Sequence, residues 1–251
     1  MHEQVPDDWF VGFHVGLKAK FWRAAAEPWA DSDATAIHGL LDLPAGARVL
    51  DAPCGDGRIA VRLAERGLDV TGIDISSEAI EAARGRESTA RFEVGDLRDL
   101  PRARFDAVLC WGNSFGYMPY ESTVRHLGAT RRSLCDGGRL LLESATVAES
   151  LLPNHKPELV YEAGGVTMRA RNEYDARRSR LVGDFTFEDA NGRRERAGVV
   201  HHVHTVGEVV RMLEHAGFRV DELLADEHTP YAVGSPHLVA IATAVQDLGR
   251  F

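Results

Sequence analysis

Residues 48 to 60, Arg-Val-Leu-Asp-Ala-Pro-Cys-Gly-Asp-Gly-Arg-Ile-Ala, constrain the fold more than any other stretch of the chain. The apolar pair Val49-Leu50 ends in Asp51, a turn carries Cys54, Gly55, Asp56 and Gly57, and a segment of helical pattern runs on from Ile59 to Arg66. This reads as a strand, a glycine turn and a helix. Because Gly55 and Gly57 carry no Cβ, the backbone can approach a ligand closely, and the stretch marks a cofactor site.

Two cofactors fit that outline. Gly55-x-Gly57-x-x-Ala60, with Asp74 closing the next apolar run, also matches the dinucleotide fingerprint, which places an acid ~20 residues past its glycines. Two features oppose it. Asp51, Ala52, Pro53 and Cys54 separate the strand from the first glycine, and the Asp51 carboxylate would compete with a pyrophosphate for the helix N-terminus. A cofactor carrying an ammonium and a sulfonium tolerates the acid.

Taken in order, "VLDAPCGDGRIA", "VTGIDIS" and "GDLRDLP" resemble motifs I, II and III of class I S-adenosylmethionine-dependent methyltransferases, over about residues 45 to 145. The resemblance implies that Asp51 lies near the methionine end of the cofactor and that Cys54, Gly55 and Gly57 pass beneath it. It further implies that Asp74, followed by Ile75, bonds the ribose and that Asp96-Leu97 holds the adenine edge. The chemistry of the residues agrees: a carboxylate offers two oxygens to two vicinal hydroxyls, and Asp96 can accept from an exocyclic amine while the Leu97 backbone donates to the ring.

The rest of the chain supports an α/β fold. Residues 8 to 42 read as two helices interrupted at Pro28, the second capped by Asp31 or Ser32. The stripe Trp9, Phe10, Phe13, Leu17, Phe21 and Trp22 has helical spacing and the look of core packing. By the same resemblance these helices form a lid over the cofactor, which makes His14, Lys18, Trp22 and Arg23 site candidates. Strands near 47–51, 69–74, 90–94, 105–110 and 138–145 alternate with helices near 57–66, 76–86 and 121–135, with Ser76 as an N-cap. Three strands, 165–174, 180–188 and 194–204, then form an antiparallel meander turned at Asn191-Gly192. The chain then runs into a helix closed by Gly217 and two further strands, and in the class I fold that it resembles the last two strands form an antiparallel pair that completes a Rossmann-like, doubly wound, seven-stranded sheet. The expected organisation is one domain: a helical lid at 1–44, a cofactor core at 45–145, a β insert at 146–204 and a C-terminal return at 205–251; sugar-amine methyltransferases, which the chain resembles here in layout, imply that the insert roofs the substrate or pairs two copies.

After the fourth strand comes Cys-Trp-Gly-Asn-Ser-Phe-Gly-Tyr-Met, residues 110 to 118. It lacks the Pro-Pro-aromatic run of enzymes that methylate base amines and resembles the turn of bacterial small-molecule methyltransferases, including sugar-amine N,N-dimethyltransferases. That resemblance assigns Trp111 and Gly112 to the cofactor and Asn113, Ser114 and Tyr117, with His14, to the substrate. Glu143, Tyr231 and His237 are further polar groups near this edge.

The run Val-Val-His-His-Val-His-Thr at 199–205 carries three histidines. On a strand His202 and His204 share one face and His201 takes the other. Two ligands on one face with no third nearby make a poor metal site, so His201, His202 and His204, with Tyr117, are expected as general bases or substrate anchors, and no metal is expected.

A net charge of −9 in 251 residues argues against a polyanionic partner. Three scattered cysteines form no disulfide framework, and no apolar run reaches the ~18 residues of a membrane span. The expectation is a cytoplasmic, S-adenosylmethionine-dependent enzyme, monomeric or homodimeric. It would methylate N, O or C of a small molecule, with no nucleic acid or membrane partner. The competing readings are an NAD(P)-dependent oxidoreductase and a non-catalytic S-adenosylmethionine-binding protein.

Overall fold

The computed structural model describes residues 5–246. After a 3-10 turn at Trp9–Gly12, α1 spans Gly16–Ala26, and a second 3-10 turn at Glu27–Trp29 leads into α2, Ala30–Leu41. The core then alternates: β1 Arg48–Asp51, α3 Arg58–Glu65, β2 Asp69–Asp74, α4 Ser77–Arg84, β3 Arg91–Val94, β4 Phe105–Cys110, α5 Tyr120–Ser133 and β5 Leu134–Ser144. Next come α6 Ala148–Leu151 and the strands β6 Glu158–Ala163, β7 Val166–Asp175, β8 Arg180–Asp189 and β9 Arg194–His202. The chain closes with α7 Val206–His215, β10 Phe218–Leu224 and β11 Leu238–Ala244.

Seven strands form one sheet in the order β10-β11-β5-β4-β1-β2-β3, parallel except for β11, which is antiparallel to both its neighbours. From β1 the chain builds outward to β3, then returns to start β4 on the other side of β1. Strand order therefore reverses between β1 and β4, and the carboxyl edge at such a switch point opens a crevice. The apolar runs of β1 and β4 are buried from both faces, as parallel strands covered by helices must be. One core layer lies on each face of this sheet. A third cluster, containing Phe13, Phe21, Met168 and Phe187, joins α1 to the four-stranded sheet β6-β7-β8-β9.

Local signals explain the helix starts in the core. The Ser76 hydroxyl accepts from Ala79 N at 3.2 Å, the expected N-cap of α4. Thr205 and Glu208 form a reciprocal capping box that starts α7. Gly57 has φ +79°, and a Cβ there would stand 2.8 Å from the Phe92 ring, so only glycine fits at the start of α3.

Four expectations need correction. The insert has four strands: β6 was missed because Leu159-Val160-Tyr161 is an unbroken apolar run without alternation, and it becomes a strand by pairing with β7. Helix α5 stops at Ser133, short of the expected end at 135. Strand β5 starts at Leu134 because that residue already registers with Phe105 of β4. Neither Asp31 nor Ser32 caps α2, which begins at Ala30: Asp31 accepts from Arg66 at 2.8 Å, and the Ser32 hydroxyl donates to Trp29 O. The aromatic segment before Pro28 is no single helix either, being broken between Gly12 and Gly16.

Candidate active site

A cavity of about 550 Å³ opens at the β1/β4 switch point, walled below by the core and above by the N-terminal segment and the insert. Of the sequence candidates, Trp22, Asp51, Cys54, Gly55, Asp74, Ile75, Asp96, Leu97, Trp111 and Gly112 line it, and so do His14, Asn113, Ser114, Tyr117 and His201. Gly57, Lys18, Glu143, Tyr231, His202, His204 and His237 do not.

The acids converge from three strand ends. Asp51, at the end of β1, is 2% exposed, and one oxygen, Oδ2, has no partner. Burial raises its pKa to about 7, against the pull of the Arg58 guanidinium and with a further push from Asp74. A buried acceptor without a donor is unfavourable in the free protein and suited to a cationic ligand. Asp74, ending β2, accepts from Gly55 N and from Ser76 N, both at 2.9 Å, so one carboxylate fixes the glycine loop and the start of α4. At Gly55, with φ +54°, nothing lies within 4 Å of where a Cβ would point, and the backbone is open to a ligand there. Asp96 caps a 3-10 turn at Leu97–Asp99 and is held by the Arg98 side chain, which keeps its carboxyl below the usual range. Any contact it makes to a ligand shares that carboxylate with Arg98, a pairing the sequence reading did not foresee.

Glu143 explains the turn after β4. Its Oε2 accepts from Gly112 N at 3.1 Å and Asn113 N at 2.8 Å, while Asn113 Oδ1 accepts from Ala145 N at 2.8 Å. Asn113 thereby holds φ +63° and its side-chain oxygen is occupied by backbone. Glu143 braces the cavity floor from outside, and burial raises its pKa.

The histidines separate. Strand β9 ends at His202, whose backbone N donates to Gly116 O at 2.7 Å, and His204 lies past the end of the strand against Phe115 and Tyr120. The expected pairing of His202 and His204 on one strand face therefore fails, because the strand stops between them. Of these three, His201 alone lines the cavity, beside Tyr117 at 5.1 Å between ring centroids and Trp9 at 5.7 Å. Its Nδ1 is buried without a partner, and burial lowers its pKa to about 4, with a smaller push from His202, so the ring is neutral at pH 7. Burial likewise raises the pKa of the Tyr117 hydroxyl. His14 has its pKa lowered by burial, and its carboxylate neighbours are Asp74 and Asp56, so it faces the acid-lined half of the cavity. Among the described residues no cluster of three or more His, Cys, Asp or Glu side chains could hold a metal.

The N-terminal helices are tied down on two sides. Glu195 of β9 accepts from Leu17 N and Lys18 Nζ at 3.1 and 3.2 Å. On the other side Arg86 reaches Glu27 at 2.7 Å and Asp56 at 2.6 Å, and Arg23 meets Asp56 at 3.2 Å. Sequence reasoning missed the cavity residues of the insert, Leu159, Asn172, Leu181, Phe185 and Val199. Alternation gives a strand two faces and does not say which turns inward.

Strand order, switch-point cavity and the three strand-end acids together define a class I methyltransferase fold. Solved structures share it. An S-adenosylmethionine-bound amino pentose methyltransferase from Micromonospora echinaspora superposes with a TM-score of 0.69 at 21% identity, covering 98% of this chain and 100% of that one. A methyltransferase from Streptomyces caelestis superposes at 0.75, with 16% identity over 89% and 96% of the two chains. Residues 49–138 match the family described as methyltransferase domain. Among curated relatives, a ubiquinone biosynthesis O-methyltransferase from Xanthomonas oryzae pv. oryzae is 34% identical over 152 residues, 53% of this chain and 62% of that one. A glycine/sarcosine N-methyltransferase from Aphanothece halophytica is 36% identical over 135 residues, 51% of each. The chain thus spans half to three-fifths of the length of these two relatives.

Proposed function

We propose that the protein is an S-adenosylmethionine-dependent methyltransferase acting on N, O or C of a small molecule. The observation that carries the reading is Asp51: a buried carboxylate with a free oxygen, at the switch point of a methyltransferase domain, facing a cavity shared with Asp74 and the open Gly55 loop. Asp51 would take the cofactor's ammonium, Asp74 its ribose hydroxyls, and Asp96 with Leu97 its adenine. The buried, unpartnered indole nitrogen of Trp22 is a further donor. A dinucleotide fits less well, since its pyrophosphate would meet the carboxylates of Asp51, Asp56 and Asp74 in the same wall.

When bound, the cofactor would supply a methyl group on a positively charged sulfur that leaves with the carbon–sulfur electron pair. The protein's work is to hold the acceptor in line and exclude water. In this reading the described part of the 1–44 segment forms the lid and 146–204 the roof, both closing over the core at 45–145. His201, neutral at pH 7, accepts a hydrogen bond or proton from the acceptor atom.

Release of S-adenosylhomocysteine that depends on the added acceptor supports the enzyme reading. Cofactor binding with no release across neutral and charged acceptors would favour a non-catalytic binding protein. His202→Ala and His204→Ala are expected to leave cofactor affinity and turnover within about twofold of wild type, whereas His201→Ala lowers kcat by ~100-fold or more. Equal losses in all three variants would remove His201 from its role.

A further inference from the structure

The cavity is electrostatically two-sided. Its charged lining residues among those described, apart from the neutral histidines, are Arg23, Asp51, Asp56, Arg58, Asp74 and Asp96, contributed by α1 and the core. The wall supplied by the insert carries Leu159, Asn172, Leu181, Phe185, Val199 and His201, with no carboxylate, ammonium or guanidinium.

Strand register puts these insert residues on one face: Leu181 is opposite His201, Gly183 lies between Asn172 and Val199, and Phe185 is opposite Ala170. A Cβ on Gly183 would come within 2.7 Å of both Phe185 and Val199 and 3.1 Å of Asn172 Oδ1, so these side chains close over the glycine into a largely apolar surface. Phe13, Trp9 and Tyr117 continue it, with Trp9 and Tyr117 rings 4.8 Å apart and Phe13 edge-on to Phe185 at 6.5 Å. The polar groups set into this wall, Asn172, Tyr117 and His201, are all uncharged at pH 7.

Accepting the methyltransferase reading, we propose that the acceptor is an uncharged molecule with a flat, largely apolar body, such as an aromatic alcohol or aryl amine, and not one linked to a nucleoside diphosphate. A diphosphate in this wall would be desolvated without a cation to pair with. The cavity's two guanidinium groups are already engaged, Arg23 by Asp56 at 3.2 Å and Arg58 by Asp33 at 2.6 Å. A flat ring instead finds aromatic and aliphatic contacts on this surface. Its nucleophilic atom can hydrogen-bond His201 or Tyr117.

The test is calorimetric titration of the S-adenosylhomocysteine-bound protein with 2-naphthol and, separately, with uridine diphosphate glucosamine. Binding of 2-naphthol is expected, with uridine diphosphate glucosamine silent. Phe185→Asp should weaken 2-naphthol roughly tenfold or more while leaving cofactor affinity within twofold. Leu181→Gln gives the same reading should Phe185→Asp not fold. Binding of the nucleotide sugar, silence of 2-naphthol, or naphthol affinity unmoved by the variants overturns the proposal. A first titration with S-adenosylmethionine alone separates the two failures: no cofactor binding sinks the functional reading, while cofactor binding without naphthol binding sinks only the acceptor class.

Discussion

S-adenosylmethionine affinity is expected to climb as pH rises from about 6 to 8 and then level off, and Asp51→Asn is expected to abolish that climb. The cause is the buried Asp51 carboxyl, whose pKa in the ligand-free protein stands at about 7 against an ordinary 3.8. Below pH 7 the group is mostly protonated, so a cationic ligand must displace a proton, and binding at pH 6 should release close to one proton. Above pH 7 the ionised group is ready and uncompensated. The same shift governs stability. A carboxyl whose folded-state value is raised favours the folded protein fully below pH 4 and loses that contribution as pH rises through 7, by roughly 4 kcal/mol in all. Ligand-free Asp51→Asn should therefore melt higher than wild type at pH 8, yet bind S-adenosylmethionine ~10- to 100-fold more weakly, having lost a charge-assisted contact. Calorimetry at pH 6, 7 and 8 checks both halves; parallel affinity profiles for wild type and variant would take the ammonium away from Asp51.

Asp74→Ala is the second large effect. The carboxylate is 7% exposed and accepts from two backbone donors, Gly55 N and Ser76 N, so its removal leaves both without their partner and loosens the glycine loop. A loss of ~1–3 kcal/mol of stability is expected from the unsatisfied donors, together with a further ~1–3 kcal/mol of cofactor binding from the lost ribose contact. The two are separable, since a thermal melt of the ligand-free protein reads the first and the cofactor Kd reads the second. A lowered Tm with unchanged Kd would leave Asp74 as a brace for the loop and withdraw it from the ribose.

What the sequence made legible is what short-range chemistry decides. Strand ends at Asp51, Asp74 and Cys110, the Ser76 cap and the glycine turn are each specified within a few residues, and their alternation implies a parallel sheet with its crevice at one edge. The wall proposed for the acceptor is decided at long range. Phe185 and His201 turn inward because the insert's inner face packs on Phe13 and Phe21, whose segment lies more than 150 residues away. The role of Glu143 was equally hidden: its partners are the backbone nitrogens of Gly112 and Asn113 on the neighbouring strand's turn. The shared face expected of His202 and His204 fails because alternation holds only while the strand lasts, and β9 stops at His202.

The central claim is the cofactor, and parallel calorimetric titrations with S-adenosylmethionine, S-adenosylhomocysteine and NADH test it most directly. Saturable binding of both sulfur compounds with NADH silent is the predicted result; binding of NADH with both sulfur compounds silent would contradict the account.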